Sequence, residues 1–92
     1  MFNEVILIGK LVKKPMLEES KHGTRSATMI LEVSRDYRDI TKTKVTDKIS
    51  CTLWRGLAHY VNDHCDIGSL LAVKGRLLSN TVELTDVSIL FE

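Results

Sequence analysis

Cysteine and proline are nearly missing from this chain, with Cys51 and Cys65 the only cysteines and Pro15 the only proline. Two cysteines make neither a disulfide framework nor a zinc motif, so both are expected as reduced thiols. One proline and five glycines in 92 residues exclude a collagen repeat and a proline-rich linker. Long apolar runs are missing too: Val5 to Ile8 and Leu70 to Val73 fall far short of the roughly 18 residues that span a bilayer. The opening Met-Phe-Asn-Glu has no basic n-region or apolar h-region of a signal peptide, so no membrane partner and a cytoplasmic location are expected. Net charge is also lacking, at 13 Lys plus Arg against 12 Asp plus Glu. The arrangement of charge, not its sum, must therefore speak for or against nucleic acid.

What is present suits one small globular domain spanning 1–92, with 43% hydrophobic and 27% charged residues. A chain this short buries only about 60% of its unfolded surface, which leaves no room for a large enclosed cavity. Function is expected on an open face or at an oligomer interface.

Val, Ile and Thr make up about a quarter of the residues and fall in short blocks between polar turns, the pattern of strands. The first block, Asn3 to Val12, is apolar on both phases at Val5, Ile6, Leu7 and Ile8, so it needs cover on both sides, one of which a second copy can supply. Pro15 is expected to end it, with a loop running to Arg25. A second strand, Ser26 to Ser34, puts Ala27, Met29, Leu31 and Val33 on one face. Arg35 to Asp47 reads as a charged loop, although Thr41, Thr43, Val45 and Thr46 allow the flanking strands to extend into a long hairpin. The third strand, Lys48 to Trp54, places Ile49, Cys51 and Leu53 inward and Lys48, Ser50, Thr52 and Trp54 outward. A helix over Leu57 to Cys65 follows Gly56, with Leu57, Val61 and Cys65 at helical spacing and Gly68 in the C-cap region. Strand four, Ser69 to Leu78, puts Leu71, Val73, Gly75 and Leu77 on one face, and Ser79-Asn80 reverses into a last strand, Thr81 to Phe91, whose phase slips near Asp86. Three strands, one short helix and two strands is the order of an all-β, five-stranded OB-fold, a Greek-key barrel with its helix between strands 3 and 4.

Several ordered blocks resemble the bacterial single-stranded DNA-binding protein family. They are Asn3-Glu4-Val5-Ile6-Leu7-Ile8-Gly9-Lys10-Leu11 with Pro15, Gly23 with Ala27-Thr28-Met29, and Leu31 to Arg35. The longest runs from Ile49 to Ala58, followed by Gly68-Ser69-Leu70 and Val73 to Leu77. The resemblance implies sequence-independent binding of single-stranded DNA, with aromatic side chains stacking on bases, in replication, recombination or mobile-element transfer. Tyr37 and Trp54 match two of the family's stacking positions, and Lys48 stands at a third without an aromatic. The family's long hairpin between strands four and five is reduced here to about Ser79-Asn80, and the sequence stops at Glu92 without the family's acidic C-terminal tail. A homo-oligomer is expected to form through Asn3 to Leu11, a tetramer by resemblance and a dimer if the short hairpin prevails. Two alternatives remain open: a primosome-accessory protein resembling primosomal replication protein N, and a protein-interaction module without DNA binding.

A lone Trp is usually core, but Trp54 lies on the outward phase beside Lys48 and Arg55, where an exposed ring next to cations suits base stacking or a subunit contact. Tyr37 either stacks or covers apolar surface amid charges. Lys10, Lys48, Lys74 and Arg76 fall on non-core phases and are expected to gather on one face, extended by Arg35, Arg38, Lys42 and Lys44. Scattered surface charge is the plainer account of the same residues. His59 and Asp63 lie one helical turn apart while His64 points elsewhere, so no metal and no cofactor is expected. No nucleophile pairs with a base and no phosphate-binding glycine loop occurs, so no enzyme is expected.

Overall fold

A computed structural model describes residues 1–19, 25–38 and 44–91. The elements are β1 (Val5–Glu19), β2 (Arg25–Arg38), β3 (Lys44–Trp54), α1 (Arg55–His64), β4 (Leu70–Leu77) and β5 (Val82–Phe91). They close a barrel in the order β1-β2-β3-β5-β4, the expected OB architecture with its helix between strands 3 and 4.

Closure depends on β1 serving two neighbours. Its first half pairs antiparallel with β4, from Val5 opposite Gly75 to Lys10 opposite Leu70. Its second half pairs with β2, from Lys10 opposite Glu32 to Glu19 opposite Arg25. Pro15 therefore does not end the strand. It falls within the register shift between Lys13 and Met16, an irregularity where the ladder asks for no N–H. Gly9 lies just before the pivot, where an added Cβ would run into the Glu32 carbonyl, so glycine permits the close approach of β1 to β2.

Much of the charged stretch Arg35 to Asp47 is likewise strand. β2 continues to Arg38, which pairs with Lys44 across a register shift after Ser34. Strand ends that reach past the core have no apolar face to bury, so the alternation that marks a strand is weak there. The helix begins two residues earlier than its apolar stripe, directly after Trp54. It ends at His64, so Gly68, at φ 95°, shapes the later turn into β4 instead of capping the helix. There the Gly68 N–H donates to the Leu11 carbonyl (2.7 Å) and the Leu11 N–H to the Ser69 carbonyl (2.9 Å). The slip in the last strand is present: Lys74 faces Asp86 but Gly75 faces Leu84, leaving Thr85 as the extra residue of a bulge.

The inward phases meet as expected. Leu11, Ala27, Met29, Leu31, Cys51, Leu53, Leu71 and Val73 are buried, with Val82, Leu84 and Val87 from β5 and Ala58, Val61 and Cys65 closing one end. Leu77 follows the inward phase yet is exposed, because it reaches past the end of the barrel opposite α1.

Candidate nucleic-acid interface

Cross-strand registers decide which outward residues share a face. Lys10 of β1, Glu32 of β2 and Lys48 of β3 form one row. Along β3 the same phase carries Lys44, Thr46, Ser50, Thr52 and finally Trp54, opposite Ser26. Among the described residues Lys10, Lys44, Lys48 and Arg55 close no ion pair, Glu32 between the lysines included. Apart from Glu32, the outward positions around them are uncharged: Thr28, Ile30, Ser34, Ser50 and Thr52. Hydroxyls here are partly engaged. Thr81 Oγ1 donates to the Ser50 carbonyl at 2.9 Å and so accepts from Thr52 Oγ1 at 3.1 Å, stitching β3 to the start of β5.

Trp54 has left the core, as its strand phase requires, and is 44% exposed. It is also the N-cap of α1, with extended backbone and no side-chain cap bond. Ser, Thr, Asp or Asn would accept a hydrogen bond from the first helical turn there, typically worth about 1 kcal/mol. A residue that forgoes its local bond and its burial together marks a position shaped by something other than folding. The first turn of α1 also contains no acid and opens with Arg55, a cation at the positive end of the helix dipole.

The other expected cations with described side chains have partners. The guanidinium of Arg35 donates from Nε to Asp47 Oδ2 and from Nη2 to Oδ1, both at 2.8 Å. This fork holds the Asp47 carboxyl below the usual carboxylate range. Alternation along β2 puts Arg35 on the phase of Val33, which pairs with Asp47, so it falls on the side of the ribbon away from Lys48. Lys74 Nζ lies 2.9 Å from Glu4 Oε1, and the Glu4 bond raises its pKa above the usual lysine value. Arg76 gives both Nε (2.8 Å) and Nη2 (2.7 Å) to Glu83 Oε1, whose side chain is only 13% exposed. Lys74 and Arg76 thus stand on β4, in rows with Asp86 and Glu83, and do not join the Lys10–Lys48 row. The side chains of Tyr37 and Arg38, and all of Lys42, lie outside the described residues.

Sequence reasoning found the outward cations but missed their partners. Glu4, Asp47 and Glu83 are remote in sequence from the cations they meet or are tied to them by register. Both cysteines are buried and outside any disulfide, and burial pushes the Cys51 thiol up to about 11, far from a reactive thiolate. The Tyr60 and His64 rings meet at a tilt of 48°, with centroids 4.8 Å apart, on one side of α1. Among the described residues no three His, Cys, Asp or Glu groups converge on a metal position. Among them, too, no helix is long and apolar enough to cross a membrane.

The model of the single-strand binding protein family matches residues 2–87. The chain belongs to that family. It is 36% identical over 83 residues to single-stranded DNA-binding protein B of Bacillus subtilis, covering 90% of this chain and 74% of that protein. With the single-stranded DNA-binding protein of Bacillus cereus it shares 37% identity over 86 residues, covering 94% of this chain and 51% of the relative. Like the B. cereus protein, several other relatives are matched over only about half their length. Among solved structures, the single-stranded DNA binding protein of Thermus aquaticus superposes with a TM-score of 0.76 at 26% identity, over 99% of this chain and 41% of that one. The protein priB of Ralstonia solanacearum gives the same TM-score over 97% of this chain and 99% of its own, but at 17% identity it shares the fold alone.

Proposed function

We propose that this family member binds single-stranded DNA without base-edge reading, on the outer face of β1, β2 and β3, in replication, recombination or mobile-element transfer. The observation that carries the reading is Trp54: an exposed ring at a helix N-cap where it cannot cap, next in the chain to Arg55 and on the same face of β3 as Lys48, neither of which closes an ion pair among the described residues. Every base offers a π-face to such a ring, and cations nearby neutralise the backbone. Lys10, Lys44 and Lys48 supply that charge along the barrel, and Arg55 beside the first turn of α1 leaves positive potential that an anion compensates. Tyr37 and Arg38 remain candidates on the hairpin by resemblance. Lys74, Arg76 and Arg35 have their charge answered by carboxylates and are assigned a smaller share. The primosome-accessory alternative has only the shared fold in its support.

The same reading takes the protein as a cytoplasmic homo-oligomer. Ile6 and Ile8 on the outward phase of β1 are 68% and 56% exposed, next to Lys74 and Ala72 of β4. Phe91, opposite Leu70, is also exposed at the end of β5. Together they form the kind of exposed apolar patch that marks a contact. Light scattering that returns a monomer at every concentration would remove the oligomer. Titration of intrinsic Trp fluorescence with oligo(dT) and with duplex tests the rest: quenching by the single strand, with far weaker duplex binding, is expected, and equal affinity would reduce the face to generic electrostatics.

A further inference from the structure

The end of the barrel opposite α1 is open. β5 pairs with β3 only at Cys51–Val82 and Thr52–Glu83, so β3 has no neighbour on that side before Cys51. The β4–β5 connection turns tightly, with the Leu78 N–H donating to the Thr81 carbonyl at 2.8 Å, and folds nothing over the gap. The result is a cleft of about 370 Å³ floored by Val5, Leu7, Ile49 and Val82. Leu77 and Asn80 stand at its rim with Lys48. Asn3 steadies the mouth: its Nδ2 donates to the Leu77 carbonyl and its Oδ1 accepts from the Leu77 N–H, both at 2.9 Å.

The lining selects a type of occupant. An apolar floor left to water is costly, and no carboxylate lines the cleft. Among the described residues the Asn80 amide makes no side-chain hydrogen bond, so a donor and an acceptor are available at the rim. Lys48 belongs both to this rim and to the row it shares with Glu32 and Lys10, which makes the cleft continuous with the outer face. A flat apolar group with a hydrogen-bonding edge and a negative charge attached to it matches all three features.

We propose that the cleft receives one base of the bound single strand, inserted with its edge toward Asn80 and a neighbouring phosphate on Lys48. This subsite rests on the DNA-binding reading above and adds to it a second kind of base contact, burial at the barrel mouth in place of stacking on Trp54.

The test uses the intact chain and oligo(dT) carrying a single 2-aminopurine moved along its length. One position should brighten as its base leaves its neighbours for the cleft, and that signal should survive Trp54→Ala. Leu77→Asp places a charge at the rim on a side chain 59% exposed, and should weaken oligo(dT) binding about tenfold and erase the bright position. Leu78→Asp adds the same charge one residue away, outside the cleft, and should cost less than about threefold. Asn80→Ala, which leaves the apolar floor intact, should weaken binding about threefold and dim the same position, and it serves if the Asp variant melts early. Equal losses for both Asp variants, or none for Leu77→Asp and Asn80→Ala, overturn the subsite while leaving the DNA-binding reading standing. A change of oligomer mass in Leu77→Asp gives the cleft to a second copy and overturns the subsite as well. A wild-type protein that fails to bind oligo(dT) overturns both.

Discussion

Two groups of cations on this barrel look alike in sequence and differ in structure. On the β1–β3 face, Lys10, Lys44, Lys48 and Arg55 close no ion pair among the described residues, not even with Glu32 in their row, and share the face with uncharged side chains and an exposed Trp54. On β4 and its neighbours, Lys74 is answered by Glu4 and Arg76 by Glu83. A partnered cation offers a phosphate little, because binding it means giving up or sharing the carboxylate. It has instead a structural task, clearest at Arg76, which meets a carboxylate only 13% exposed. Positive residues on the outside of a small barrel are therefore not interchangeable.

The largest effect that tests this division is expected at Trp54. Trp54→Ala should weaken oligo(dT) binding by about 1 to 3 kcal/mol, roughly 5- to 150-fold, with a melting temperature near that of the wild type. A loss of roughly 3 kcal/mol or more in folding stability would instead make the ring part of the core. Next come the cations taken in pairs. Each phosphate contact removed flattens the slope of log affinity against log salt by about 0.7, so Lys10→Met with Lys48→Met should flatten it by about 1.4. Lys74→Met with Arg76→Met should flatten it by less than half as much, and equal slopes would erase the distinction between the regions.

The division can also be moved on purpose. Glu83→Gln releases Arg76 and should tighten oligo(dT) binding about two- to fivefold at low salt, while Arg76→Met leaves Glu83 unanswered and should cost about 1 kcal/mol of stability by chemical denaturation. An unchanged affinity in Glu83→Gln would mean that β4 lies off the path of the strand whatever its charge. The smallest effects are those of pH. Asp47 has a lowered pKa in the folded protein, so the contribution of its fork with Arg35 is present above the unfolded carboxylate value and is lost as pH falls through the folded one. Lys74 has a raised pKa, so the Glu4 pair contributes fully below the unfolded lysine value and is lost as pH rises through the folded one. Melting curves of Asp47→Asn and Lys74→Met should converge on the wild type at the acid and alkaline ends respectively. A difference that persists there would assign the effect to packing.

Much of the fold was legible because its signals are local. Ile49, Cys51 and Leu53 alternate with Ser50, Thr52 and Trp54, and a period of two needs no tertiary information to assign faces. The helix stripe of Leu57, Val61 and Cys65 worked the same way, although the first two helical residues, Arg55 and Gly56, lie outside the stripe because neither has an apolar side chain. Pro15 misled for a physical reason: a proline ends a strand only where the ladder requires its N–H, and β1 sets it within an irregularity. The paired strand ends Arg35 to Arg38 and Lys44 to Asp47 escape the pattern because hydrophobic periodicity reports burial, and strand ends past the core bury little.

Sequence by itself determined the order of elements, the faces of β2, β3 and β4, the family, and the outward placement of the only tryptophan. Tertiary structure alone decided which cations meet acids and where the barrel stays open. Lys74 reaches Glu4 across 70 residues of chain, Arg76 reaches Glu83 through a register offset by the bulge at Thr85, and Val5 lies beside Ile49 and Val82 only once the barrel has closed. A side chain's face follows from the alternation of its own strand, whereas its partner follows from the register between strands, which long-range packing sets.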